Sequence, residues 1–339
     1  MPTKVLTPNL NNTWVYVHSA KKLKAKEIVN LTIMNRELVL WKSESGSISL
    51  LDAYCTHLGA HLGNGKVCGE VLQCNFHKRK FELHGSCRGR GKSVQSYEII
   101  IQHELIFAWF GEAESDWKMP DLLQGFYPDD TDSTWKIFKT KQFNYDFSAK
   151  DLLDNTVDPV HFKTFHAQCD SFEPTEVLEV APHLFVSKVT FIGNPQLTKR
   201  NIKFRLVLVN QSYGPTSLVV NASAHVMGKT YISKFIFLCT PKQNENTDFT
   251  LAIATKIDKS LSWWQRLFVY AYTYRAFRIQ AREFYVESEK IWKTKTYLKD
   301  PDYLPQEAAM KVYNAWYSRF FEKSSQACSK ASQPDSINV

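Results

Sequence analysis

Two short loops constrain this chain more than anything else in it: Cys55-Thr56-His57 and, after 16 intervening residues, Cys74-Asn75-Phe76-His77. Each Cys-His pair lies between apolar runs, and Gly59, Gly63, Gly65 and Gly69 fall between the pairs. Thiolates and neutral imidazoles are iron ligands, so a fold that uses both pairs must bring the two loops together at one end.

The sequence around the loops has the pattern of short strands. Val29 to Met34, Glu37 to Trp41 and Ile48 to Ala53 are rich in β-formers and are divided by Asn35-Arg36 and Ser45-Gly46. Val71 to Cys74, Lys80 to Leu83, Tyr97 to Gln102 and Leu105 to Phe110 continue the pattern. Residues 1–115 therefore read as a small all-β domain, and the polar, proline-bearing stretch 116–135 as a linker. Residues 136–322 read as a second domain. Ser148-Ala149-Lys150-Asp151 resembles a capping box that opens a helix. Strand-like runs follow at His183 to Ile192, Ile202 to Asn210, Ser217 to Met227, Thr230 to Thr240 and Phe249 to Ile257. Their alternation predicts one large antiparallel sheet with a buried face. From Ser260 to Tyr297 the period becomes helical, with Leu267, Tyr270, Ala271, Tyr274, Phe277 and Ile279 spaced as an apolar stripe. Residues 323–339, rich in Ser, Gln and Lys, read as a disordered tail. The expected class is α+β.

A chain of 339 residues with 44% apolar and 22% charged content suits two domains. It holds no run of 18 apolar residues and shows no secretory signal, so a cytoplasmic protein is expected. Seven cysteines, an odd number without framework spacing, argue against structural disulfides. The net charge of +8 includes basic runs at His77-Lys78-Arg79-Lys80 and Arg88-Gly89-Arg90-Gly91-Lys92, beside the Cys-His loops. An acidic partner fits there. No nucleic-acid recognition module accompanies the charge, so nucleic acid is not an expected partner.

The C-x-H … C-x-x-H pattern resembles that of Rieske proteins. The resemblance implies a [2Fe-2S] cluster held by Cys55, His57, Cys74 and His77. Ala60 and Phe76 stand where Rieske proteins of respiratory complexes carry a disulfide, so the chain looks like the oxygenase or ferredoxin branch. Lys78-Arg79-Lys80 replaces the Gly-Trp pair and following residue usual in that branch, a departure that bears on donor docking. His61 and His84 read as loop or surface histidines.

A second signal spans Asp154 to His166. Asp158 and His161 are spaced to share a helix face. His161 and His166 would sit about 140° apart on a regular helix, so they converge only if the helix bends or ends between them. Asn155, Asp158, His161 and His166 together resemble the N-x-x-D-x-x-H-x-x-x-x-H motif of Rieske non-haem iron oxygenase α subunits. By that resemblance His161 and His166 bind Fe(II) as part of a facial triad. The same resemblance implies that Asp158 bridges to the cluster histidine of a neighbouring subunit in a homotrimer.

The C-terminal part, with Ile291-Trp292, Asp300-Pro301 and Trp316-Tyr317-Ser318-Arg319-Phe320-Phe321, resembles 3-ketosteroid 9α-hydroxylases and cholesterol 7-desaturases. In that group an aspartate precedes the Ile-Trp pair. As the third iron ligand an ungapped match offers Ser288, a poor ligand for Fe(II); allowing Lys290 as one extra residue offers Glu287, the favoured ligand, with Glu289 as the other carboxylate. The implied activity is a monooxygenase that hydroxylates or desaturates a sterol or steroid, using O₂ and electrons from a ferredoxin or flavin-dependent reductase. The alternatives are an O- or N-demethylating relative, an electron carrier, and a lipid-binding protein with an incomplete iron site. The mixture of Trp, Tyr and Arg from Trp263 to Arg278 suggests peripheral membrane contact or a substrate portal.

Overall fold

The computed structural model describes residues 8–112, 114–124, 135–164, 171–193, 204–226, 229–243, 246–256 and 262–321. Its N-terminal part is built from β1 (Thr13–Ser19), β2 (Ile28–Ile33), β3 (Arg36–Lys42), β4 (Ile48–Asp52), β5 (Lys66–Cys68), β6 (Val71–Gln73), β7 (Lys80–Phe81), β8 (Ser96–Tyr97), β9 (Ile99–Gln102) and β10 (Leu105–Phe110). These form three antiparallel sheets, in the orders β1-β10-β9, β2-β3-β4-β8 and β5-β6-β7. Val39, Trp41, Leu51, Leu72 and Phe81 make a small core from the last two sheets, and Cys55 and Cys74 belong to it.

The C-terminal part contains β11 (Trp135–Tyr145), α1 (Ala149–Asp154), α2 (Pro159–Thr164), β12 (Ser171–Phe172), β13 (Glu176–Ala181), β14 (Leu184–Gly193), β15 (Phe204–Tyr213), β16 (Ser217–Val226), β17 (Lys229–Pro241), β18 (Thr247–Lys256), α3 (Trp263–Glu287) and α4 (Ala308–Tyr317). One antiparallel sheet runs in the order β11-β18-β17-β16-β15-β14-β12, with β13 also paired to β14. The architecture is the expected one, an all-β unit followed by a large sheet with helices.

Side-chain alternation assigns the two faces of this sheet. Phe235, Phe237 and Cys239 of β17 point to a core shared with Phe277 and Phe284 of α3 and with Tyr313 and Trp316 of α4. Ile236 and Leu238 point the other way, to a core with Trp14, Phe107, Trp109 and Trp117. The N-terminal unit thus rests on the face opposite the helices. Two threonines fix the contact: Thr216 Oγ1 donates to the Trp14 carbonyl and Thr240 Oγ1 to the Tyr16 carbonyl, each at 2.6 Å.

The stretch expected as a linker is packed where it is described. Trp117, Met119, Leu122 and Leu123 are buried between β1, β10 and the large sheet. Lys234 of β17 is buried beneath it and donates to the carbonyls of Leu123 and Gln124, both at 2.9 Å, with its ammonium 4.6 Å from the Trp135 ring. A buried ammonium is tolerable only with such partners.

The α3 stripe differs from the expectation. Among the described side chains of α3, Thr273, Phe277, Ala281 and Phe284 are buried, whereas Leu267, Ala271 and Tyr274 are exposed. At 100° per residue Leu267, Ala271 and Tyr274 lie about 80–160° around the helix from Thr273 and Phe284, so apolar spacing alone misplaced the inner face.

Candidate functional site

Each Cys-His loop is a closed backbone turn extending from a strand. After β4, the Cys55 N–H donates to the Ala60 carbonyl and the Gly59 N–H to the Cys55 carbonyl, both at 2.9 Å. Gly59 has φ +71°, a conformation that favours glycine. His61 closes the turn by accepting the Gly63 N–H at Nδ1 (3.0 Å), which is a structural task rather than ligation. After β6, the Cys74 N–H donates to the Arg79 carbonyl at 2.8 Å. Lys78 takes the left-handed turn position (φ +59°), and its ammonium donates to the Asn75 carbonyl (2.7 Å) and side chain (3.1 Å).

The loops meet with the four singled-out side chains sorted by chemistry. Cys55 and Cys74 are buried, at 3% and 1% exposure, in the same small core. His57 and His77 are exposed above them, with ring centroids 4.6 Å apart. Burial pushes the Cys55 thiol up, and the neighbouring Cys74 adds to the effect, although the His57 amide and Arg79 oppose it. Such a thiol ionises on binding a metal rather than in its absence. Local desolvation, then the charges of Arg79 and His77, hold the His57 imidazole below its ordinary value and hence neutral at pH 7, the ligating form. Two sulfurs at the base and two imidazoles at the rim fit a two-iron cluster with two protein ligands per iron. Among the described residues no three Cys, His, Asp or Glu side chains gather as they would for a single ion.

The rim is basic and partly apolar. Lys78, Lys80, Arg88, Arg90 and Lys92 are exposed, as are Leu58 and Phe76. Thr56 Oγ1 donates to the Lys92 carbonyl at 2.7 Å, which ties the second basic run to the first loop.

The second motif runs over the edge of the large sheet. Ser148 caps α1 by accepting the Lys150 N–H (3.2 Å), but Asp151 does not complete a capping box; it pairs with Lys295 at 2.9 Å. A 3₁₀ turn over Asn155–Val157 follows α1. The Thr156 carbonyl accepts from Ser187 Oγ and Asn210 Nδ2, each at 2.8 Å, so β14 and β15 hold the motif in place. Asp158 has extended backbone (φ −106°, ψ 90°) and lies outside the helix, not on a shared helix face as its spacing suggested. Its Oδ1 accepts the His161 N–H at 3.0 Å, the role of an N-cap for α2, with Pro159 at the first helical position. α2 is described from Pro159 to Thr164. His161 is half-buried, and His166 lies outside the described residues.

The C-terminal candidates follow α3. Its last residue is Glu287, and Ser288–Trp292 form a π-helical turn. The side chains of Glu287, Ser288 and Glu289 lie outside the described residues. Trp292 is buried against Phe147, with ring centroids 4.7 Å apart, and Lys295 reaches Asp154 at 3.7 Å as well as Asp151. Lys150 completes this group at 2.7 Å from Asp154. Burial raises the Asp151 carboxyl, and it works to lower the Lys295 ammonium, but Asp154 and Asp151 outweigh burial and hold Lys295 above its ordinary value. The end of α3 is thereby pinned to the helix that leads into Asn155, Asp158 and His161. Sequence reasoning missed Lys150, Asp154 and Lys295; the i, i+4 spacing of the first two was the one local signal.

Comparison with known proteins follows these two regions. Residues 13–98 match the Rieske [2Fe-2S] domain, and residues 109–321 match the 3-ketosteroid 9α-hydroxylase C-terminal domain. The cholesterol 7-desaturase of Drosophila melanogaster is 21% identical over 96% of this chain and 78% of its own length. The oxygenase component of 3-ketosteroid-9-alpha-monooxygenase from Rhodococcus rhodochrous is 23% identical over 84% of this chain and 76% of its own. A crystal structure of dicamba monooxygenase bound to 3,6-dichlorosalicylic acid has the same fold, with a TM-score of 0.72 at 17% identity, covering 93% of this chain and 98% of that one.

Proposed function

The chain belongs to the Rieske non-haem iron oxygenases with a C-terminal domain of the 3-ketosteroid 9α-hydroxylase type, and from that premise we propose that it oxidises a sterol or steroid, by hydroxylation or desaturation. In this reading a Rieske domain over residues 1–115 is joined through 116–135 to a catalytic domain over 136–322. The observation that carries the reading is the sorted quartet, with Cys55 and Cys74 buried and His57 and His77 at the surface, on a unit packed against a sheet whose β14 and β15 hold the Thr156 carbonyl just before Asp158 and His161.

When bound, the [2Fe-2S] cluster supplies one-electron storage and a mononuclear Fe(II) supplies O₂ activation. The protein's residues do the rest. Cys55, His57, Cys74 and His77 hold the cluster with its imidazole edge outward, where a ferredoxin or flavin-dependent reductase can approach. His161 and His166 hold the iron. Asp158, fixed by the His161 N–H, would bridge from a neighbouring subunit's cluster histidine in a homotrimer, and Asn155 is a candidate catalytic residue of the same motif. Glu287 completes the triad. The π turn supports that choice: a π turn takes one residue more than an α turn, and Lys290 is the one extra residue that the match to Glu287 requires. The buried Trp292 anchors the register just beyond it.

The test is turnover of a sterol and steroid panel with a reductase and O₂, read by mass spectrometry. Hydroxylation adds one oxygen atom, desaturation removes two hydrogens, and demethylation replaces a methyl group by hydrogen. Oxidation of none of the panel, with all three irons in place, refutes the substrate class.

A further inference from the structure

We propose that the outward stripe of α3 docks the protein onto an anionic lipid surface. Trp263 and Trp264 begin the helix at 62% and 64% exposure, with their rings stacked 3.5 Å apart between centroids. Leu267, Tyr274 and Tyr285 are exposed further along, and so are Arg275, Arg278 and Arg282. At 100° per residue all eight fall within roughly 120° of the helix circumference. The sequence has no Asp or Glu from Trp263 to Arg282, and Glu283 lies off the stripe and is half-buried. Lys139 adds a further cation, 4.7 Å from the Tyr274 ring.

The stripe is held outward by the packing of the other side. Phe284 sits 5.2 Å from Phe237 and 5.1 Å from Phe249 between ring centroids, Tyr270 stacks on Phe138 at 5.3 Å, and Thr273 bonds to Thr255. Rotating the helix to bury the tryptophans would expose Phe277 and Phe284, so the aromatic and basic residues remain outside. An uncharged apolar partner would leave three arginines without counter-charge, whereas an anionic lipid interface takes both sets. Trp and Tyr rings settle at headgroup level, and arginines gain from the negative surface potential. Among the described residues no helix is long and apolar enough to cross a membrane, so the contact lies along the surface. This inference stands on α3 alone and does not depend on the identity of the substrate.

The test is co-sedimentation of the full-length holoprotein with phosphatidylcholine vesicles, with and without phosphatidylserine, at low and high salt. Wild type is expected to pellet with phosphatidylserine vesicles at low salt and to stay in solution with phosphatidylcholine alone. Charge reversal in R275E/R278E/R282E should cut binding by more than about tenfold. W263A/W264A should cut it several-fold, and both variants should keep the cluster absorption spectrum as a check on folding. Wild type that does not bind, or binding unchanged in both variants, overturns the proposal. It is also overturned if light scattering shows that the stripe joins copies of the chain, with the variants falling to smaller oligomers and no lipid bound by any form.

Discussion

At the scale of single residues, the proposed iron site separates ligation from charge. Asp158 Oδ1 accepts the His161 N–H, and an asparagine side chain keeps an acceptor oxygen there while losing the negative charge. Asp158→Asn is therefore expected to retain three irons per chain and to lose about tenfold to hundredfold in turnover, as measured by iron analysis beside a steady-state assay. His161→Ala should drop the count to two irons and abolish turnover with the Rieske absorbance intact; loss of that absorbance would show that the two metal sites are not separate. The third ligand has a matching test. Glu287→Ala should cost the mononuclear iron, and Glu289→Ala should leave it bound, so the opposite result assigns Glu289. The Cys-His pairs were readable in the sequence because their ligands are close along the chain. The acceptor role of Asp158 was not, since spacing alone could not show that α2 begins after it.

At the scale of elements, the π turn and the ion group beside it decide where Glu287 stands. Deleting Lys290 should restore regular α-helical geometry and rotate Glu287 by about 100° relative to the buried Trp292. The expected outcome is loss of the mononuclear iron with the cluster spectrum kept, whereas Lys290→Ala keeps both. Lys295 is the second control. It holds its proton more tightly folded than unfolded, because Asp154 and Asp151 more than offset its desolvation. Its contribution to stability is thus fully present below the ordinary lysine pKa of about 10.5 and is lost as pH rises through the higher folded value. Thermal melts across the alkaline range should fall more steeply for wild type than for Lys295→Met; parallel curves would show that this ion group contributes nothing. Strands β14 to β18 were legible because alternation is local and their pairing partners are neighbours in sequence. The strand β11 was not, because its exposed lysines blur the alternation and a bulge between Ile137 and Lys139 shifts its register.

At the scale of the whole molecule, the two units share one structure. Thr216 and Thr240 grip the backbone of β1 across 202 and 224 residues of sequence, and Lys234 holds the connecting strap across more than 100. Nothing local marks these residues as inter-unit contacts, so the sequence suggested a tether where the fold has a packed joint. That joint fixes the direction in which the His57 and His77 rim faces. A rim that faces outward suits transfer between subunits, and a closed ring with identical interfaces would give each iron a cluster from its neighbour. This can be read directly by complementation. A His57→Ala chain lacks a working cluster but keeps its iron, and a His161→Ala chain lacks the iron but keeps its cluster. Each alone should be inactive. Co-expressed in equal amounts and mixed at random, an interface works when the cluster chain faces the iron chain, one in four of them, so about a quarter of wild-type activity is expected. Activity near zero, in particles shown by mass spectrometry to contain both chains, would mean that electrons stay within one chain and that Asp158 serves its own subunit.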